Sequence, residues 1–510
     1  MIVAERLGPV AGTVATAVDD LAARNAPSRM WAVDHTLWSD DPHEVADRLG
    51  WLFVPAEMEQ AFPEIDGAAL AVGDGMRRAV LMGMGGSSLF PEVLRQSFPR
   101  GPARMDLRVL DTTDPAAVGR ATEGEGLDHC LFVAASKSGG TIEVTSQLAH
   151  FWAATGGAAH QFLAITDPGT ALARTARERG FGHLFENRTD IGGRYSALSH
   201  FGLVPGALLG VDVPGLLRRA ATATEATAAS VPAAQHPAVR LGAAIGAAAM
   251  AGRDKLTFVL PDEIAAFGLW LEQLVAESTG KEATGVVPVA GEPLGPPGVY
   301  GDDRLFVAVG PHPGLDALVG AGHPVVELAY HDPLDLGGLV LLWEEAVALC
   351  GAVLGINPFN QPDVAAAKEA TDRVLAEGLP AVETVPVESL LDQVSQGDYL
   401  ALQAFVDPGD ERLLAGLEAV RIRLRDRLRV ATTVGIGPRF LHSTGQLHKG
   451  GPPSGVFVQV VGDDPVDLPI PGRGFGFSTL KQAQAAGDLL ALQDRGLRAG
   501  RVSLEELLSS

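Results

Sequence analysis

A chain of 510 residues is too long for one ordinary hydrophobic core, so two or three domains of about 100–200 residues each are expected. Hydrophobic residues make up 46% and charged residues 20%, which excludes a disordered chain. The formal net charge of −23 argues against broad binding to nucleic acid or an anionic membrane; an anionic substrate would need a local cationic pocket opposing the global field.

Residues 1–50 read as a helical arm on the main body. A βα rhythm then occupies the first predicted domain, residues 51–235. Short apolar runs at 79-AVLMGM-84, 107-LRVLD-111, 131-LFVAAS-136 and 161-QFLAIT-166 are separated mostly by helix-like sequence, as in a buried parallel sheet. The Ala-, Thr- and Ser-rich stretch 216–239 marks a boundary. A second βα series fills residues 236–385, with strands at 256-LTFVL-260, 286-VVPV-289, 305-LFVAV-309 and 324-PVVELA-329. Residues 386–510 form a small α/β appendage, with helices near 410–428 and 478–491 and a strand at 455–461. The fold class is therefore α/β: two domains, each a mainly parallel sheet flanked by helices, plus a C-terminal α/β region.

Cys130 and Cys350 both sit in apolar runs, and no cluster of cysteines has zinc-ligand spacing. Buried, reduced thiols and the lack of a signal-peptide pattern predict a cytoplasmic protein. The apolar stretch Leu336 to Ile356 carries Glu344 and Glu345 at its middle, which favours a buried helix over a membrane span.

Five segments carry the chemistry. In 83-GMGGSSL-89 and 136-SKSGGT-141, small residues lie between a strand and a helix start, where free N–H groups meet an anion. Glycine at such a turn is ordinarily plain turn chemistry; two such loops at strand ends point to phosphate. Neither matches the P-loop or the dinucleotide fingerprint. In 192-GGRYSALSHFGL-203, two glycines would let Arg194 approach a ligand closely. In 270-WLEQLVAESTGKEATG-285, Gln273 and Glu277 are four residues apart and share a helical face beside a buried stripe. A carboxylate near a helix C-terminus and partly buried gains basicity. The segment by itself equally allows an exposed carboxylate on a solvated face. In 356-INPFNQPDVAAAK-368, Pro362 suits a first helical turn and Lys368 follows on the face of Val364; alone, Lys368 would be a surface lysine.

Together and in this order, these segments resemble the glucose-6-phosphate isomerase (phosphoglucose isomerase) family over roughly residues 50 to 385. The resemblance implies two sugar-isomerase domains, glycolysis and gluconeogenesis as the setting, no cofactor, no metal and a homodimer with the active site near the subunit boundary. It implies that Gly86, Ser87, Ser136, Lys137, Ser138 and Thr141 line the phosphate and sugar site. Gln273 would position the substrate, and Arg194 would stabilise the negative intermediate. Glu277 would be the base, and Lys368 would assist ring opening. The segments 31–52 and 436-IGPRFLHSTGQLHKGGP-452 resemble the isomerase half of bacterial transaldolase/isomerase fusions. There is no room for a transaldolase barrel, which needs about 250 residues.

The family's catalytic histidine does not carry over cleanly. His312, His323 and His331 lie in the expected interval, and His323 is the nearest positional candidate. His442 and His448 lie outside it. A non-catalytic sugar-phosphate sensor, and an isomerase that also takes mannose 6-phosphate, remain as competing readings.

Overall fold

A computed structural model describes residues 1–72, 74–99 and 105–510. Among the described residues there are three sheets. The chain opens with β1 (Ile2–Arg6), whose place is in the second of them. The first sheet holds β2 (Arg78–Gly83), β3 (Asp106–Leu110), β4 (Cys130–Ala135), β5 (Phe162–Thr166) and β6 (His183–Glu186). Their order is β3-β2-β4-β5-β6, all parallel. β2, β4 and β5 are buried along their whole length. Successive residues of β2 feed two different cores: Ala79 and Leu81 one, Val80 and Met82 the other. Burial on both faces is why these strands read as unbroken apolar runs.

The second sheet holds β7 (Lys255–Val259), β8 (Val287–Val289), β9 (Arg304–Val309) and β10 (Val325–Leu328), in the order β1-β10-β9-β7-β8. Four strands are parallel; β1 closes the edge antiparallel to β10. The expectation of a wholly helical arm over residues 1–50 is corrected by β1. Five residues are too few to show a period, and their pairing partner lies more than 300 positions away. Helices Ala11–Ala23 and Ala26–Trp31 follow it as expected.

Helix Leu336–Leu354 runs through the core against helix Pro237–Met250. A Cβ on Gly242 would lie 2.4 Å from the carbonyl oxygen of Ala346, so this crossing requires glycine. The stretch Pro333–Leu354 is long and apolar enough to cross a membrane, but 89% of its apolar window is buried inside the fold. Cys130 and Cys350 are free, buried thiols.

The third sheet holds β11 (Tyr399–Phe405), β12 (Ala431–Ile436), β13 (Gly455–Val461) and β14 (Arg498–Arg501), in the order β12-β11-β13-β14, all parallel. Its C-terminal strand ends face the turn 111-DTTD-114 that follows β3. Arg439 makes a two-pronged ion pair with Asp111 at 2.7 and 2.9 Å. Lys481 reaches Asp114 at 2.9 Å, and Arg120 pairs with Asp407. On the other side, Arg421 and Arg425 each donate at 2.7 Å to the carbonyls of Ala290 and Pro293. The third region is thus clamped to both preceding domains, chiefly by guanidinium groups, whose fixed fork suits carboxylates and carbonyls.

Candidate active site

In the first sheet the chain leaves β2 for β3 on one side, then crosses back to β4 on the other. The crevice at such a switch, outside the C-terminal strand ends, is where open parallel sheets bind ligands. The two strands flanking it are the ones followed by the loops 83–89 and 136–141. Gly86 is pressed against the Arg194 segment, and a Cβ there would lie 1.8 Å from the carbonyl oxygen of Gly193. Ser87 is buried in the same turn.

Ser136 and Thr141 share a hydrogen bond of 2.9 Å across the second loop, and Ser136 Oγ accepts from the Gly139 N–H at 3.2 Å. Ser138 Oγ accepts from the Gly140 N–H at 3.4 Å. Helix Ile142–Ala154 starts directly after Thr141, so its N-terminus faces the crevice. Ser138 and Thr141 line a cavity of about 340 Å³ together with Lys368, His442 and Gln484. Lys137 turns away: its ammonium pairs with Asp167 and donates to the Thr189 carbonyl at 3.2 Å.

Helix Phe267–Thr279 brings in the second domain. Ile264, Phe267, Leu271 and Leu274 are buried, and Gln273 and Glu277 beside this stripe are buried as well. Glu277, 5% exposed, accepts from Gln273 Nε2 and from Arg194, both at 3.3 Å. Burial raises the Glu277 carboxyl above its ordinary range, against the opposing charge of Arg194. The solvated alternative for Glu277 is thereby removed. Gln273 also donates to the carbonyl of His442 at 3.0 Å, while its buried Oε1 has no protein donor.

Arg194, 2% exposed, is held from every side. It donates to Ser278 Oγ at 2.9 Å, Gln361 Oε1 at 3.2 Å, and the carbonyls of Pro358 and Asn360 at 2.7 and 3.0 Å. Lys281 braces the same 356–361 loop, donating to the carbonyls of Asn357 and Asn360, both at 2.7 Å. Sequence reasoning does not single out Lys281 or Gln361, although both lie inside the motifs. Their only signal is the motif position itself.

The histidines separate cleanly. His323, the positional candidate, is wedged between Tyr300 and Phe306 on the far face of the second sheet and does not line the cavity. His312 is exposed, and His331 faces Asp335 on the surface. His448 is buried among Tyr399, Phe440 and Phe457, and burial drives its pKa well below the ordinary value. His442 alone of these five enters the cavity. Its Nε2 lies 2.8 Å from Glu143 Oε1. Burial lowers its pKa, but the charge of Glu143 outweighs this, with help from Glu277 and Asp111, and the net shift is upward. Glu143 also escapes sequence reasoning; it follows the 136–141 loop by two residues. Among the described residues, no group of His, Cys, Asp and Glu could hold a metal ion.

A model of the family described as Phosphoglucose isomerase matches residues 9–292. The chain is 30% identical over 377 residues to glucose-6-phosphate isomerase of Thermosynechococcus vestitus, covering 63% of this chain and 70% of that one. It is 31% identical over 348 residues to the chloroplastic glucose-6-phosphate isomerase 1 of Arabidopsis thaliana, covering 58% of this chain and 56% of that one. Among solved structures, a hypothetical protein of Thermus thermophilus aligns with a TM-score of 0.63 at 24% identity, over 73% of this chain and all of that one. A glucose-6-phosphate isomerase from Chlamydia trachomatis aligns with a TM-score of 0.55 at 19% identity, over 69% of this chain and 78% of that one. These two structural likenesses speak to the fold. The family match spans Arg194 and Glu277 and ends before Lys368 and His442.

Proposed function

This chain belongs to the phosphoglucose isomerase family, and from that premise we propose that it interconverts glucose 6-phosphate and fructose 6-phosphate through a cis-enediolate. The observation that carries the reading is Glu277: a buried carboxylate with raised proton affinity, held between Arg194 and Gln273, whose amide lies against Gly85 of the first small-residue loop. A base tuned upward by burial suits proton abstraction near neutral pH.

The substrate phosphate lies on the 136–141 loop, met by the hydroxyls of Ser136, Ser138 and Thr141 and by N–H groups at the helix start. His442, charged and backed by Glu143, delivers a proton to the ring oxygen as the ring C–O bond breaks. Lys368 lines the same cavity and assists there. Glu277 then takes the proton from C2 of the open aldose and returns it to C1. Arg194 supplies a fixed positive charge where the oxyanion develops, with no reorganisation because its donors are already anchored. Binding energy from the distant phosphate orients the reacting carbons. A cytoplasmic, homodimeric enzyme of glycolysis and gluconeogenesis is part of the same proposal.

The test mixes purified protein with fructose 6-phosphate, without metal or nucleotide, and resolves the aldose 6-phosphates formed. Rapid appearance of glucose 6-phosphate is the expected result. Binding without turnover would replace this reading with a sugar-phosphate sensor, and mannose 6-phosphate among the products would widen the specificity.

A further inference from the structure

The third region contributes to the cavity twice. His442 arrives on the turn between β12 and β13. Gln484 arrives on helix Phe477–Gln493, between β13 and β14. Both converge on one oxygen of a first-domain carboxylate: Glu143 Oε1 accepts from His442 Nε2 at 2.8 Å and from Gln484 Nε2 at 2.7 Å.

A second contact holds the Gln484 amide in place. Its Oε1 accepts from the hydroxyl of Thr113 at 2.7 Å. A flipped amide would turn its oxygen towards the carboxylate and lose the bond to Glu143, so the acceptor-only carboxylate sets the arrangement. Gln484 is 2% exposed and Glu143 is 2% exposed, so water is poorly placed to substitute for either partner. Burial pushes the Glu143 carboxyl up, and the charge of His442 with the donated hydrogen bonds outweighs it, leaving Glu143 below its ordinary range. Gln484 is therefore one of two side-chain donors that keep this carboxylate ionised.

We propose that Gln484 is a positioning residue for ring opening: it holds Glu143 in line with His442, and through it the docked third region becomes a working part of the active site. This rests on the reading in which His442 opens the sugar ring. The remaining charges facing His442 are Glu277 on its helix and Asp111 after β3, the latter already neutralised by Arg439. Lys368 and Asp372 line the same cavity. None of these touches Glu143 Oε1 in the way Gln484 does. Removing the amide leaves Glu143 with His442 as its only side-chain donor among the described residues. The carboxylate then pulls harder on the imidazole proton, and His442 becomes a weaker acid and a less constrained one.

The experiment uses the full chain and three variants, Gln484→Met, Thr113→Val and His442→Asn. Exchange between the α and β anomers of fructose 6-phosphate reports ring opening alone; formation of glucose 6-phosphate reports the whole reaction. Gln484→Met is expected to slow anomer exchange by about tenfold and to move the alkaline limb of kcat/KM to higher pH. Binding of 6-phosphogluconate, a linear acid phosphate that needs no ring opening, should not change. Thr113→Val, which only frees the amide to turn, should shift the same limb in the same direction by less. A Gln484→Met profile that overlays wild type, with any loss of rate tracking lost folded protein, overturns the role of Gln484. His442→Asn separates the two levels. If it abolishes anomer exchange while Gln484→Met does not alter the profile, the Gln484 role alone is overturned. If His442→Asn retains full anomer exchange, the ring-opening role of His442 is overturned and that of Gln484 with it.

Discussion

Four strands of the first sheet and the four parallel strands of the second repeat one topology, yet only the first set carries glycine- and serine-rich loops at its switch. In the first, the switch lies between β2 and β4, followed by GMGGSSL and SKSGGT. In the second it lies between β7 and β9, and the matching ends read 259-VLPDEI-264 and 309-VGPHPG-314. Pro261, Pro311 and Pro313 each remove a backbone donor, and Asp262 and Glu263 add negative charge. Topology supplies the crevice twice; the loop residues make the first rich in free N–H and hydroxyl groups and the second poor in donors and acidic. The second domain contributes instead through the side of a helix, where Gln273 and Glu277 project across to the first.

Glu277→Gln is the largest break in this division of labour. It should lower kcat for fructose 6-phosphate by about a thousandfold while leaving sugar-phosphate binding intact, as read by turnover and calorimetry side by side. Near-wild-type kcat would remove Glu277 as the base. The two crevices are compared directly by Thr141→Ala in the first and His312→Ala in the second. The former should raise KM by about tenfold; the latter should leave KM where it was. Equal effects would mean that the second crevice also binds substrate.

The smallest effect concerns buried carboxylates within the second domain. Glu277 has donors aimed at it. Glu344 and Glu345, on helix Leu336–Leu354, are equally buried, and each has an oxygen with no partner. Burial raises both well above the ordinary range. A carboxyl that holds its proton more tightly folded than unfolded supports the fold fully below about pH 4.3, the free Glu value, and withdraws that support as pH climbs through the folded pKa. Glu344→Gln should therefore raise the melting temperature at pH 8 by about 2 °C, with the gain shrinking as pH falls. A constant gain at every pH would point to packing rather than to charge.

The strands of the first two sheets are mostly legible because burial on both faces writes them as apolar runs. β1, β6, β11, β12 and β14 are not. β14 reads RAGR and β6 reads HLFE, with no apolar run to mark them. In the site, Arg194, Gln273, Glu277 and the two loops can be found because each lies in a short contiguous motif whose local geometry already aims the side chain.

The histidine that enters the cavity cannot be found this way. His323 has the expected chain position but points into an apolar layer, whereas His442 comes from more than a hundred residues later. Its approach to Glu143 depends on how a third sheet docks against the turn 111–114, through Arg439, Lys481 and Gln484. The sequence by itself determined the α/β class, the two small-residue loops and the pairing of Gln273 with Glu277 on one helix face, because strand burial, glycine turns and i,i+4 spacing act over a few residues. The contact of His442 with Glu143 was decided only by tertiary structure, because it requires separate regions to pack together, and no local period records a contact made across some 300 residues.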